Sequence, residues 1–548
     1  AREVVAASTV FTIHTPVAAG NDAFAFDLVS QFFGGFWGSL GLNQHSFLEL
    51  GRHDLGWGPV FSMPALALRF SSGRNGVAEL HGDTTRKLWR SLWPEVPAEE
   101  VPIGHVTNGV HASTWVAPEV QDLVSGVLPA GWQQRLDDRA MWAAVERLEP
   151  ARLWEVRRAL KAQSVRFLRR RVLRQLARHG ATPTAMHGAG ELFDAEALTI
   201  GFARRFATYK RATLIFRDLE RLSRILGDPE RPVQLVFAGK AHPADKPGQE
   251  LISVIHNLSK DPRFAGKILF VEDYDMAVGR ALTRGCDVWL NNPRRPLEAS
   301  GTSGQKAAMN GLLNLSILDG WWPEGYDGEN GWAIGEGRSG GDEDSADSAD
   351  ADALYDLLER EVVPLYYERS SAGVPEAWLE RAKNAIATVS PAFNASRMVK
   401  DYVEGYYAPA SARGVRLSAD EHAPAAALAS WRRRIYEGWP SVHVHAKPSE
   451  DSVHRVGETL EVEAVVQPGT LADLPLRVEV VYSLERDNLN AGLHRAEMTR
   501  VREHADGSRL YQARFQPEVS GRLVYGVRVY PVQEELGSPF DGYTVRWA

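Results

Sequence analysis

A chain of 548 residues is too long for one hydrophobic core, since single cores stop growing near ~250–300 residues, so two or three domains are expected. A hydrophobic fraction of 44% and a charged fraction of 24% are ordinary for a globular protein, and a net charge of −8 argues against nucleic acid or an anionic membrane as the main partner. The single cysteine, Cys286, excludes an internal disulfide; it reads as a buried strand residue, and the chain as suited to a reducing, cytoplasmic compartment.

No segment approaches the ~20 apolar residues of a membrane helix. The start, AREVVAASTVFTIHTP, passes from a short apolar stretch straight into a strand-like one, unlike a secretory leader, and without an initiator Met the chain is expected to begin inside a longer protein. Residues 1–140 are rich in Gly, Trp and Phe and carry short motifs on loops. His14 lies in FTIHTPVAAG, Asn75 and His81 in NGVAELHG, and His105, Asn108 and His111 in GHVTNGVHASTW. Such groups suit sugar hydroxyls, although a lone His in these runs is more often a core residue. Their spacing does not suit a zinc site, and no metal is expected. A basic helix is predicted from about 151 to 179. Val165, Leu168, Val172 and Leu176 form its apolar stripe; Arg169, Arg170, Arg171 and Arg174 fall largely off it, as a solvated face or a contact for an anion.

From 190 to 340 short apolar runs recur: ALTIGF, VQLVFAG, KILFVE, CDVWLN and LLNLSIL, with helix-compatible stretches between several of them. That alternation predicts a parallel sheet covered on both faces. Polar and Gly-rich clusters follow the runs, where open α/β sheets bind ligands. Residues 338–352, RSGGDEDSADSADAD, read as a solvated acidic loop without chemistry. Helices are predicted over about 352–435. After 440 the period becomes two, in LEVEAVV (460–466), LRVEVVYSL (476–484), LYQARF (510–515) and LVYGVRVY (523–530), predicting a small β-sandwich.

The segment from Arg295 to Asn310, RPLEASGTSGQKAAMN, carries the strongest chemical signal. A Gly-rich turn opening a helix presents free N–H groups to an anion, typically phosphate, and Thr302 and Ser303 can add hydroxyl donors. Lys306, placed where the helix should begin, is either a point charge for phosphate or a Schiff-base nucleophile. The spacing is not that of a P-loop. A second cluster, Arg204, Arg205, Lys210 and Arg211, follows ALTIGF. It is either a solvated helix start or the neutraliser of more than one phosphate. Two dianions ~5 Å apart repel by roughly 13 kcal/mol at an effective dielectric of ~20, so they can meet only among fixed cations.

The ordered set FTIHTPVAAG, NGVAELHG, HVTNGVH, RRFATYKR, FAGKAHPADK and EASGTSGQKAAMNG resembles the glycogen, starch and α-glucan phosphorylases, nearest to the long bacterial type with an extra C-terminal β-domain. The resemblance covers most of 9–340 and extends to the closing PFDGYTVRWA. It implies two Rossmann-like lobes facing a cleft, the first incomplete: 1–180 for the rest of the N-terminal lobe and a linking helix, 181–435 for the C-terminal lobe with its helical return, and 440–548 for the β-sandwich. It implies reversible phosphorolysis of an α-1,4-glucan, glycogen or maltodextrin, by inorganic phosphate, giving glucose 1-phosphate with retention. Homo-oligomers are compatible with it. Lys306 matches the lysine that holds pyridoxal 5'-phosphate as a Schiff base, and that cofactor's phosphate exchanges a proton with the substrate phosphate. By motif position Arg205 and Lys210 hold the substrate phosphate, Arg204 and Thr302 the cofactor phosphate, and Tyr274 borders the cofactor. His14, Asn108, Tyr209, Glu298, Ser300 and Gly301 line the glucose subsite, with His14 close to the chemistry and Glu298 a hydroxyl acceptor only. Arg204 stands where many members have Lys, and Asp275 where many have Arg. The family's upstream Gly-rich loop is not found, so the chain is expected to lack the N-terminal part. The competing readings are a nucleotide-sugar glycosyltransferase of the same fold and a glucan-binding fragment that has lost catalysis.

Overall fold

The computed structural model describes residues 1–56, 58–337, 342–447, 453–486, 489–490, 492–517, 520–542 and 544–548. After helix α1 (Arg2–Ser8), three short parallel strands, β1 (Val10–Thr12), β2 (Gly73–Gly76) and β3 (Gly104–His105), pair in that order. The three His- and Asn-bearing motifs leave the carboxyl ends of these strands. Helix α2 (Glu79–Trp89) follows β2.

The basic helix forms as α3 (Pro150–Arg178), with Pro at its first turn. Its apolar stripe is buried at Val165, Leu168 and Val172, while Leu176 is only partly covered. Two cations one turn apart are buried with the stripe. Lys161 Nζ bonds Asp287 at 2.5 Å and Tyr366 Oη at 2.9 Å, and Arg157 donates to the backbone carbonyls of Arg284, Cys286 and Asn310. The arginines expected on the solvated face divide: Arg169 bonds the carbonyls of Leu192 and Phe193, Arg171 pairs with Asp275, and Arg170 and Arg174 are exposed.

Unbroken apolar runs can satisfy both faces only inside a covered sheet. All five runs become strands: β4 (Leu198–Ala203), β5 (Val233–Ala238), β6 (Ile268–Val271), β7 (Val288–Asn291) and β8 (Leu313–Ile317). A sixth strand, β9 (Gly331–Ile334), has only four residues and was not anticipated. The sheet is wholly parallel, in the order β9-β8-β7-β4-β5-β6. Helix α4 (Met276–Gly285) leads into β7 and α5 (Ser303–Ala308) into β8. Cys286 is buried as expected, but caps α4 rather than lying in β7.

The acidic stretch corrects its expectation. Residues 338–341 lie outside the described residues; the remainder forms helix α6 (Glu343–Leu357), not a loop. Asp342 caps it, accepting from Ser345 N–H at 2.9 Å, and Glu343 and Asp344 complement the dipole of the first turn. Its acids also have basic partners. Asp347 and Asp350 pair with Arg211 at 2.8 Å each, Asp347 with Arg294 at 2.8 Å, and Asp344 with Arg217 at 2.8 Å. Composition showed the charge but not the cations waiting for it.

Helices α7 (Glu376–Ala392) and α8 (Ala408–Gly438) return the chain to its start. α8 is broken at Ala419–His422, ahead of Pro424, and its Leu417, Ala425 and Leu428 pack with Ala7 of α1. Strands β10 (His443–Ala446), β11 (Leu460–Gln467), β12 (Leu476–Arg486), β13 (His494–Glu497), β14 (Thr499–Glu503), β15 (Arg509–Phe515), β16 (Arg522–Pro531) and β17 (Arg546–Trp547) then form; β11, β12, β15 and β16 are the four alternating segments expected, and the others were not anticipated. One antiparallel sheet runs β10-β11-β15-β14; the other joins β12 to β16, with β13 and β17 at its sides. Inward residues of both, such as Val462, Val466, Val480 and Val527, share one core. No helix among the described residues is long and apolar enough to cross a membrane.

Buried charges tie this C-terminal unit to the first hundred residues. Arg528, 1% exposed, bonds Glu479 at 2.7 Å and both carboxylate oxygens of Glu100, while Arg74 pairs with Asp541 at 2.6 Å. Arg528→Ala should leave buried Glu100 to the half-exposed Arg495 and buried Glu479 to the Tyr530 hydroxyl, and cost about 3 kcal/mol. Urea unfolding followed by a probe in the C-terminal unit should show its midpoint fall, whereas the exposed Arg514→Ala should leave it unmoved.

Candidate active site

The segment after β7 builds the centre of the site. Gly301 turns the chain at φ +78°, a conformation costly for other residues, and lies against the Glu298 side chain and the Arg204 guanidinium. α5 starts at Ser303, three residues before its expected start, so Lys306 lies within the helix. Gly304 permits the close packing behind it, because a methyl there would collide with Asn314 and the Trp321 ring. Asn314 Nδ2 in turn donates to the Gly304 carbonyl at 3.1 Å. Thr302 is the residue before α5, and its hydroxyl caps no N–H of the helix. The Lys306 amine lies 3.7 Å from the Trp115 ring centroid, and burial lowers its pKa. A partly buried amine facing a ring, with no carboxylate partner among the described residues, gives up its proton more easily than a free lysine, which favours its nucleophilic form.

The basic cluster leaves the carboxyl end of β4, next to β7 in the sheet, and so meets this segment. Glu298 Oε2 receives Lys210 Nζ at 2.7 Å and Arg204 Nη2 at 3.1 Å. Burial alone would raise the Glu298 carboxyl; the charges of Arg204 and Lys210 outweigh it and hold the group below its usual value. Burial, reinforced by the Arg204 charge and opposed by Glu298, brings the Lys210 ammonium down to about 8. Tyr209, half-buried beside Arg205, has its hydroxyl pushed up to about 12, first by burial and then by Glu298. Arg205 itself is exposed. Arg211 is diverted: besides its acids on α6, it donates to the carbonyls of Asn292 and Pro293 at 2.9 Å each.

Several buried polar atoms here lack partners among the described residues. Arg204 Nε and Nη1, Ser300 Oγ, Gln305 Oε1 and the side-chain oxygens of Asn291, Asn292 and Asn314 are all buried and unsatisfied. Such atoms ordinarily find a partner, so their concentration around one loop marks a place built for a polar ligand. The two Arg204 donors and the Ser300 hydroxyl suit anionic oxygens.

The first sheet contributes unevenly. Asn108 reaches the site through its backbone carbonyl, which accepts from Gln305 Nε2 at 2.9 Å. His14 is exposed and stands beside His81, making no hydrogen bond or ion pair with the cluster. His81 is buried, with Nδ1 accepting from Val77 N–H, and burial with the His14 charge brings it down to about 4. Asn75 is spent on structure, bonding Thr12, the Gly76 carbonyl and Tyr402. His105 and His111 are exposed, the latter bonding Thr114. Tyr274 is partly buried against Gly279, and burial raises its hydroxyl. Asp275 caps α4 through Val278 N–H at 2.8 Å and pairs with Arg171. Glu324 joins the two sheets across the front, accepting from Thr107 Oγ1 at 2.6 Å and Glu79 N–H at 2.8 Å.

Two residues escaped sequence reasoning. Trp115 closes the motif GHVTNGVHASTW but was given no role there. Asp319 follows β8 directly, and that position after a strand was the signal available. It accepts from Glu298 N–H at 2.9 Å and Gly320 N–H at 2.8 Å, fixing the backbone beneath the Glu298 carboxylate. Burial pushes its carboxyl up to about 7, despite those two donors.

Residues 57–323 match the model of the carbohydrate phosphorylase family, and residues 439–548 that of the glycogen phosphorylase C-terminal domain. A maltodextrin phosphorylase of Thermococcus litoralis is 38% identical over 99% of this chain and 63% of its own length. A glycogen phosphorylase of Mycobacterium tuberculosis is 40% identical over 96% of the chain and 62% of its own length. One from Aquifex aeolicus is 42% identical over 74% of the chain and 58% of its own. The chain thus spans about three fifths of the length of these curated relatives. Two family models over separate parts of the sequence, and relatives aligned across nearly all of it, lead to one assignment: the chain belongs to the carbohydrate phosphorylase family.

Proposed function

We propose that this chain is the catalytic part of a cytoplasmic α-glucan phosphorylase. It splits glycogen or maltodextrin with inorganic phosphate to release glucose 1-phosphate with retention, in a cleft between two Rossmann-like lobes, and carries pyridoxal 5'-phosphate on Lys306. The division at about residues 180 and 440 belongs to the same reading, with the C-terminal sandwich bracing the fold. The observation that carries it is the surplus of buried donors around Glu298: Arg204 and Lys210 share one carboxylate, Arg205 stands open beside them, and two Arg204 donors and the Ser300 hydroxyl have no acceptor.

The residues present fit the cofactor. The Lys306 amine is partly desolvated and engaged by no acid among the described residues, and the Trp115 face shields it from one side. Arg204 and Thr302 would hold the cofactor phosphate, with Tyr274 at its border. When bound, the group supplies a phosphate that gives a proton to, and takes one from, the substrate phosphate. Arg205 and Lys210 bind and orient that substrate phosphate, and their charge offsets the repulsion between two dianions. His14, Asn108, Tyr209, Ser300 and Gly301 line the sugar subsite. Glu298 accepts a sugar hydroxyl there; held ionised by two cations, it is unsuited to donate a proton.

Purified protein from the complete reading frame should release glucose 1-phosphate from maltodextrin only when phosphate is present. Lys306→Ala should lose both that activity and the near-ultraviolet absorbance of bound cofactor. Absorbance that survives the substitution would sink the lysine assignment, and glucose transfer from a nucleotide sugar without phosphate would favour the transferase reading.

A second test needs no cofactor. Lys210 is charged below about 8 and neutral above, so affinity for sulfate, whose own charge is constant, should fall as pH rises through that value. In Lys210→Arg the fall should vanish, because guanidinium stays protonated. Calorimetric titration across about pH 6.5–9.5 reads both curves.

A further inference from the structure

A second basic cluster lies outside this site, between α3 and α4. The two helices pack through Val165, Leu168, Val278 and Leu282, and beside that contact runs a groove of about 390 Å³. Arg166 and Arg170 face it from α3, Arg280 and Arg284 from α4, with Phe167 and Gln163 between them. Both arginine pairs are spaced i,i+4, where like charges cost a few tenths of a kcal/mol each. No carboxylate lines the groove. Glu119 accepts from the lining residue Gln163 at 2.9 Å, and Asp275 is taken by Arg171. Arg284 donates to the carbonyls of Thr114, Trp115 and Val116 at 3.0–3.1 Å, whereas Arg166, Arg170 and Arg280 pair with no acid among the described residues. By contrast, Arg221 pairs with Asp356 and Glu359, and Arg211 with Asp347 and Asp350.

We propose that this groove is a separate binding site for a small phosphate-bearing anion, either inorganic phosphate or a phosphate monoester. Three planar guanidiniums, two exposed and one partly covered, offer paired donors that match phosphate oxygens. A groove of this volume on a chain of net charge −8 suits a small anion rather than a polynucleotide. The site also lies close behind the candidate active site, because Arg284 holds the carbonyl of Trp115, whose ring covers Lys306. It stands on its own residues and does not depend on the activity proposed above.

Calorimetric titration of the purified protein with inorganic phosphate, and separately with glycerol 3-phosphate, tests it. Wild type should bind at least one probe at a site that Lys210→Ala leaves intact and that the double variant R166A/R170A weakens by about tenfold or more. The probe bound more tightly there identifies the source of the phosphate. R166K/R170K should keep most of the affinity, which separates lost charge from lost structure; both arginines are exposed, and unchanged circular dichroism checks the fold. Binding of neither probe beyond what Lys210→Ala abolishes, or equal binding by wild type and R166A/R170A, overturns the proposal.

Discussion

Everything at the candidate site depends on how two buried cations are kept charged. Arg204 and Lys210 are almost fully covered, and a covered cation is costly without a partner. One carboxylate, Glu298, serves both. That is enough to keep them in place and too little to satisfy them. The remainder appears as unsatisfied Arg204 nitrogens, a Lys210 ammonium that gives up its proton easily, and a loop whose oxygens and hydroxyl look inward without partners. An anion entering such a place meets donors already fixed and desolvated, which makes each contact stronger than in water. Asp319 completes the arrangement from below by holding the Glu298 backbone, so the carboxylate cannot follow either cation away.

The sheet makes this economy possible. β4 and β7 are neighbours in the parallel order, so the cluster that leaves one and the Gly-rich turn that leaves the other emerge side by side. α3 locks that geometry from behind. Lys161 bonds Asp287, which also accepts from Thr199 N–H at 2.8 Å, so one ion pair ties the long helix, β4 and the start of β7 together.

Much of this was legible in the sequence, for definable reasons. Five apolar runs announced five buried strands, and period-two segments announced the C-terminal sheets, because periodicity reports which faces are covered. β9 was lost because Trp-Ala-Ile, set among the glycines of GENGWAIGEG, does not stand out as an apolar run. The acidic stretch misled because low complexity was taken for solvation, whereas each acid of α6 answers an arginine far away in sequence. Arg157 and Lys161 could not be read as buried, since the cover for a charge lies in its partners, here Asp287 and carbonyls more than 120 residues on. Family motifs placed Glu298, Arg204, Lys210 and Lys306 within one neighbourhood, and the structure joins the first three directly. Trp115 and Asp319 act by position alone, which no motif recorded.

Glu324 carries a consequence for motion. Its carboxylate clasps Thr107 and the first N–H of α2 from the segment that follows β8, and it does so at the water boundary. A carboxylate released there is rehydrated at once, so parting costs little more than the exchange of two bonds for water. Its neighbours at the same seam, Gln305 on the Asn108 carbonyl and Arg397 on the Thr107 carbonyl, are part-buried, so the exposed Glu324 is the contact there that solvent reaches most readily. Glu324 can thus exchange Thr107 and the Glu79 N–H for water without any apolar residue leaving its cover.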